Sequence, residues 1–181
     1  MIRAISVGVG LGLVIGCAAL AHADVVTLPS TRAVVDVPAS WAAVSVEEVV
    51  LARRGPAGEL LAITRANVPN TDAWRAKTRE AYVEQIERGI ASKIRGYQKR
   101  TRRLGEVGGV PVLDLEARRD DGATIVLRIL MFRTYALALA IEVPKRGAVA
   151  PARQIAGTFA PPFTPAGAAP SAAPGEPPER R

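Results

Sequence analysis

Cysteine and histidine are scarce in this sequence of 181 residues, which has one of each. Both, Cys17 and His22, lie within the first 23 positions. A lone cysteine forms no intramolecular disulfide, so the stability of the folded part has to come from a buried apolar core. The rest of the chain lacks histidine, the commonest general base and transition-metal ligand, which excludes Ser-His-Asp and Cys-His catalytic sets and histidine-based zinc sites there. We therefore expect no metal and no cofactor.

Charge is also absent from residues 5–20, a mostly apolar stretch that follows the single cation Arg3. Two small residues, Ala21 and Ala23, then stand at positions minus three and minus one relative to Asp24. A short cationic start, an apolar segment and a small-residue cleavage site are the three parts of a secretory signal peptide. The sequence therefore predicts a signal peptide over residues 1–23, cleavage between Ala23 and Asp24, and an exported mature chain that is periplasmic or secreted.

The segment Val14-Ile15-Gly16-Cys17 supports a second interpretation of the same N-terminus. It resembles the bacterial lipobox, in which the cysteine becomes the lipid-modified first residue of the mature protein. In that case the protein is a lipoprotein anchored to the membrane through Cys17. A third interpretation keeps residues 1–23 as an uncleaved anchor, although the apolar stretch is barely long enough to span a bilayer.

The chain is basic, with 24 lysine and arginine residues against 17 acidic residues and a formal net charge of +7. Its densest cationic segment consists of Arg95, Tyr97, Lys99, Arg100, Arg102 and Arg103. One hypothesis is a patch that binds an anionic partner, either an unknown envelope protein or the phosphates of a membrane surface. The other is a solvated edge strand whose cations discourage edge-to-edge pairing. Nucleic acid is not an expected partner, because the chain is exported.

The first half of the chain predicts strands followed by a long helix. Residues 32–37 are rich in β-branched residues, and a turn after Pro38 brings Trp41 back toward the core. Residues 44–53 and 59–68 flank a loop rich in glycine and proline, which indicates an antiparallel hairpin. Asn70 or Thr71 can cap the helix. The residues that recur along it at four-residue spacing are Trp74, Thr78, Tyr82, Ile86, Ile90 and Ile94.

The second half predicts an antiparallel meander. Residues 112–118 alternate apolar and charged side chains, residues 124–133 are nearly all apolar, residues 135–143 alternate large and small side chains, and Asp121-Gly122 is typical of a hairpin turn. A short helix over residues 151–159 closes the domain. The fold class is therefore α+β over residues 32–163: a mostly antiparallel, twisted sheet of about six strands with one long amphipathic helix and a short C-terminal helix packed on it. Residues 24–31 are expected to be a linker and residues 164–181, rich in proline and alanine, a disordered tail.

Several turn residues and aromatic residues accompany this order of elements: Val37-Pro38-x-x-Trp41 after the first strand, Gly109-x-Pro111 before the meander, and Phe132 and Tyr135 at the last strand pair. Together they resemble the PsbP-like α/β/α sandwich superfamily, which includes extrinsic photosystem II subunits, a Ran-binding nuclear import factor and small bacterial envelope lipoproteins. The resemblance covers residues 32–163 and carries no functional residue across by position. It implies a binding or assembly scaffold, because the superfamily is largely non-enzymatic.

The sequence leaves two functions open. The first is an exported, non-catalytic envelope protein that acts as a binding or assembly module and has no catalytic residues. The alternative is a carboxylate-based envelope hydrolase that uses Asp114 and Glu116, two residues apart on one strand face, with Asp120 and Asp121 at the hairpin. The competing interpretation of these carboxylates is a polar strand face beside Arg118.

Overall fold

The computed structural model describes residues 23–67 and 79–162 of the chain. Over these residues the chain forms nine strands and two helices. The strands are β1 (Ala23–Thr27), β2 (Val34–Pro38), β3 (Ala42–Ala43), β4 (Leu51–Arg54), β5 (Leu60–Asn67), β6 (Gln98–Val107), β7 (Val110–Arg118), β8 (Thr124–Met131) and β9 (Tyr135–Val143). The helices are α1 (Arg79–Ala91) and α2 (Val149–Thr158).

Seven strands form one antiparallel sheet in the order β3-β4-β5-β9-β8-β7-β6, and β1 pairs with β2 in a separate two-stranded sheet. The predicted mixed class with a mostly antiparallel sheet is confirmed, but the expected number of strands was too low. The sequence does not predict β1 or β3. β3 has only two residues, and four of the five residues of β1 are exposed, so neither strand shows the alternation of buried and exposed side chains that predicts a strand. β1 also occupies part of the segment 24–31, which the sequence predicts as a linker.

One face of the large sheet, here called the α2 face, is covered by β2 and α2. Ile155 of α2 and Phe159, which follows it, pack with Val35 of β2 against sheet residues such as Leu130 and Leu139. Phe159 is fully buried. This cluster is the larger of the two apolar cores, and Trp41 belongs to it, as the sequence predicts.

The opposite face, here called the α1 face, carries a second core. Val83 of α1 is fully buried and packs with Leu113, Leu127 and Ile129 of the sheet. Neighbouring residues of a strand point to opposite faces, so β7 and β8 supply side chains to both cores. The structure therefore has a helix on each side of the sheet.

The described part of the long helix ends at Ala91, earlier than its apolar spacing predicts. Ile94 lies in the turns that follow, where its N–H donates to the Ala91 carbonyl at 3.4 Å, yet it still packs against the core of the α1 face. The predicted cap at Asn70 or Thr71 and the core position Trp74 lie outside the described residues.

The hairpin turns agree with the sequence. Asp121 accepts a hydrogen bond from the Ala123 N–H at 3.0 Å, and Gly122 has a φ of +87°, which favours glycine at this position. At the next hairpin, the rings of Phe132 and Tyr135 stack with their centroids 4.6 Å apart.

Several predictions concern residues at the ends of the chain. Cys17 and Ala21 lie outside the described residues, as does the tail 164–181, whereas Ala23 and Asp24 are the first two residues of β1. Neither of the two described helices is long and apolar enough to cross a membrane.

Candidate functional site

Four of the six residues of the predicted anionic-partner patch belong to β6, which forms one edge of the large sheet, and Arg95 and Tyr97 precede this strand. A bulge interrupts the β6 and β7 register between Lys99 and Thr101, so Arg100 is the extra residue. Lys99 therefore shares the α1 face with Arg102, whereas Thr101 and Arg103 point to the α2 face. The bulge thus divides the patch between two sides of the sheet.

On the α1 face, the patch residues converge on Glu87 of α1, which is buried. Lys99 Nζ lies 2.8 Å from Glu87 Oε1, and Arg102 NH1 lies 3.6 Å from Glu87 Oε2. The second terminal nitrogen of Arg102 pairs with Glu80. These cations are therefore neutralised by the helix that packs beside them.

Tyr97 belongs to the same cluster. Its hydroxyl donates to Glu87 Oε1 at 3.4 Å. Burial of the phenol, followed by the negative charge of Glu87 and this hydrogen bond, raises the pKa of Tyr97 from 10.0 to about 12. The phenol of Tyr97 consequently stays neutral and donates to Glu87 up to a higher pH than an unperturbed tyrosine would.

The remaining patch residues differ in their surroundings. Arg95 Nε lies 3.1 Å from Asp120 Oδ2. Arg100 and Arg103 are both exposed and have no ion pair within residues 23–67 and 79–162. Arg100 is at the bulge, whereas Arg103 lines a cavity on the α2 face. The structure therefore does not bring the six residues together on one surface.

This cavity has a volume of about 450 Å³ and lies between α2 and the strands β6, β7 and β8. Its lining combines an apolar part, which includes Val126 and Ala156, with charged side chains. On the α2 face of the sheet, the charged lining residues are Arg103, Asp114, Glu116 and Arg128. Arg153 of α2 is the fifth charged residue on this side.

Arg128 joins β8 to the neighbouring strand and to the end of α2. Its Nε lies 2.9 Å from Asp114 Oδ1, and its NH2 donates to Asp114 Oδ2 at 3.3 Å. Its NH1 donates to the carbonyls of Ala156 and Gly157, at 3.0 and 2.5 Å. The buried Nε–H makes no aligned hydrogen bond despite the short distance to Asp114. A cation at the C-terminal end of a helix also complements the helix dipole.

Arg153 of α2 forms a bidentate pair with Glu116. Its Nε donates to Glu116 Oε2 at 2.8 Å and its NH2 to Oε1 at 2.9 Å. These hydrogen bonds, and then the charge of Glu116, raise the pKa of Arg153. Both oxygens of the carboxylate are therefore occupied.

The carboxylates considered for a hydrolase are placed as follows. Asp114 and Glu116 do share one strand face, and they line the cavity instead of an open convex surface. Asp120 pairs with Arg95, and Asp121 pairs with Arg119 at 2.6 Å. All four carboxylates are thus engaged by arginines. Within the described ranges no group of three or more metal-ligating side chains is present.

The sequence pattern did not identify two charged residues of the cavity, Arg128 and Arg153. Arg128 had a usable signal, because it is the only charged residue inside the apolar run of β8. A charge in a strand covered on both faces requires a partner. Arg153 had no such signal, since a single arginine on a short helix is ordinary.

Comparison with known proteins supports the fold. No family model matches the sequence. No curated protein matches it either. Among solved structures, the cyanobacterial PsbP (CyanoP) of Synechocystis sp. PCC 6803 is similar over 80% of this chain and 92% of its own, with a TM-score of 0.57 and 14% identity. A protein of unknown function from Pseudomonas aeruginosa (PA94) matches over 79% and 99%, with a TM-score of 0.43 and 17% identity.

Proposed function

We propose, starting from the PsbP-like fold of this chain, that the protein is an exported, non-catalytic binding or assembly module of the envelope. The similarity to CyanoP concerns the fold alone, so the proposal rests on the residues of this chain. Export is supported by the signal-peptide pattern of residues 1–23.

The observation that carries the proposal is the state of the charged groups in the cavity. Asp114 and Glu116 each accept hydrogen bonds from an arginine of a neighbouring element. A general acid or base needs access to the proton that it transfers. Carboxylates held in ion pairs are therefore better suited to recognition than to proton transfer. They present a fixed arrangement of charge to a partner, which is what charged groups contribute to recognition.

Affinity capture from the envelope fraction of the native host tests this proposal. The bait is the exported protein with a C-terminal tag, and a tagged, unrelated exported protein of similar charge is the control. We expect a specific protein to be enriched with the bait at physiological salt and to survive a moderate salt wash. Recovery of the same proteins by bait and control would contradict the proposal.

The alternative function is a carboxylate-based hydrolase. It is supported by the presence of both Asp114 and Glu116 in a cavity of sufficient size for a small substrate. Glu116→Gln would abolish the turnover of envelope substrates if Glu116 were catalytic. The binding proposal instead predicts no turnover by the wild-type protein and an effect of Glu116→Gln on binding only.

The state of the N-terminus is a separate part of the proposal. Cleavage after Ala23 gives a free chain, whereas modification of Cys17 gives a lipoprotein that keeps the domain at the membrane. Metabolic labelling with radioactive palmitate distinguishes them: we expect an unlabelled protein whose N-terminal residue is Asp24. Label on the wild-type protein that is lost in Cys17→Ser would establish the lipoprotein.

A further inference from the structure

A row of alternating charges crosses the α2 face at the edge of the sheet. Arg103 of β6 is the register partner of Asp114 of β7, which is in turn the partner of Arg128 of β8. Side chains of directly opposed residues in antiparallel strands lie beside one another. Asp114 is therefore flanked by two arginines, and its described hydrogen bond and ion pair are with Arg128.

The charges in this cavity do not cancel. Arg128 pairs with Asp114 and Arg153 with Glu116, which leaves Arg103 without a carboxylate of its own among the described residues. Arg102 contributes to the lining, but its guanidinium is paired with Glu80 and Glu87 of α1. The cavity consequently carries an excess of one positive charge at Arg103.

An excess of one charge suits a monoanion. A phosphate dianion would place its second charge near Asp114 and Glu116, and near the negative end of the α2 dipole. A carboxylate carries one charge, and its two oxygens match the planar fork of a guanidinium. The cavity therefore favours a carboxylate over a phosphate dianion.

The position of Arg103 on an edge strand indicates what carries this carboxylate. β6 pairs only with β7, so the backbone groups on its outer side are unpaired within the sheet. From Thr101 to Val107 its register with β7 is regular. An extended peptide can hydrogen-bond to such an edge. Arg100, exposed at the bulge of the same strand, would repel a second copy of β6.

We propose that an acidic, extended segment of the partner protein binds along β6 and places one carboxylate in the cavity against Arg103. This inference rests on the proposed binding function and names the site and the chemistry of the partner. Thr101 and Arg103 contact the incoming side chain, while Arg128 and Arg153 hold the neighbouring carboxylates away from it.

The test uses the exported protein and two short fluorescent peptides of alternating valine and threonine, one with a single central glutamate and the other with glutamine in its place. Binding is measured by fluorescence anisotropy at low salt. We expect the glutamate peptide to bind about tenfold more tightly, as for one charge-assisted hydrogen-bonded pair. Arg103→Gln should remove this difference. The matched control is Arg100→Gln, which removes the same charge from the neighbouring bulge and should retain the preference.

Two competitors, propionate and inorganic phosphate, test whether the cavity prefers a carboxylate to a phosphate. Propionate should displace the glutamate peptide from the wild-type protein at lower concentration than inorganic phosphate. Three results would overturn the inference. The first is an equal loss of the glutamate preference in Arg100→Gln and Arg103→Gln, and the second is equal affinity of the wild-type protein for both peptides. The third is displacement of the glutamate peptide by phosphate at lower concentration than by propionate. If Arg103→Gln still captures the same envelope protein as the wild type, the inferred site is wrong and the binding function stands. If the wild type captures nothing, the binding function fails.

Discussion

Lys99 Nζ lies 2.8 Å from Glu87 Oε1, so the edge strand of the sheet is tied to the helix that covers the α1 face. Arg102 reaches the same carboxylate only because the bulge at Arg100 shifts the alternation of β6 by one residue. Without this extra residue Lys99 and Arg102 would point to opposite faces. The bulge therefore explains why the cationic segment is divided, with Lys99 and Arg102 on the α1 face and Arg103 on the α2 face.

Glu87 should stabilise the contact between α1 and β6. Glu87→Gln removes the negative charge that Lys99 and Arg102 share, while the volume of the side chain is kept. We expect the free energy of unfolding, measured by urea denaturation, to fall by about 1–2 kcal/mol. Glu84→Gln, on the exposed side of the same helix, should change it by less than about 0.5 kcal/mol.

The phenol of Tyr97 should deprotonate at a higher pH than an ordinary tyrosine. Because burial and Glu87 raise its pKa to about 12, the folded protein favours the neutral phenol, and this contribution is complete below about pH 10. It is lost as the pH rises from 10 to 12. The stability of the wild type should therefore fall more steeply than that of Tyr97→Phe over this interval. Parallel decreases in the two proteins would contradict the assignment.

Substitution by alanine should have opposite effects on stability at two glycines, Gly96 and Gly89. Gly96, between α1 and β6, has a φ of +64°, and an added Cβ would lie 2.8 Å from the Asp120 backbone nitrogen. Gly96→Ala should cost about 1–3 kcal/mol. Gly89 lies within α1 with open space around its Cβ position. Gly89→Ala should stabilise the protein by about 0.5–1 kcal/mol. Thermal unfolding of both variants measures the two effects.

Arg128 should matter for stability as well as for the cavity. Arg128→Met leaves the carbonyls of Ala156 and Gly157 without this donor and removes the partner of Asp114. We expect a loss of about 1–3 kcal/mol in urea denaturation. Arg153→Gln, at an exposed position, should have a smaller effect. An equal effect of both substitutions would indicate that Arg128 contributes no more than a surface ion pair.

The sequence was informative where one side chain pattern dominated. Alternation in β7 and β9, the apolar run of β8 and the Asp121-Gly122 turn predicted most of the meander. The two-residue β3 and the exposed β1 have no such pattern, because their pairing depends on neighbours that are distant in the chain. The sequence predicts one strand over residues 44–53, but β4 begins at Leu51, after Glu48 with a φ of +62°.

The candidate site was less predictable than the fold. The sequence identifies the cationic segment but not the bulge within it, because a bulge depends on strand pairing and not on local composition. The placement of Lys99 and Arg103 on opposite faces of the sheet was therefore not predictable. The pairs of Arg128 and Arg153 join residues 14 and 37 positions apart. Such pairs follow from the packing of α2 on the sheet, which the pattern of a single element does not contain.

Photo-crosslinking in the native host tests most directly whether the α2 side of β6 is a protein-binding surface. Benzoylphenylalanine replaces Thr101, an exposed residue that lines the cavity, or Gln85, exposed on α1 on the opposite side of the sheet. On irradiation of intact cells, we expect a discrete protein adduct from position 101 that is lost in the Arg103→Gln background, and no such adduct from position 85. An adduct from position 85 alone, an adduct at 101 that persists in Arg103→Gln, or no protein adduct at 101 would contradict this expectation.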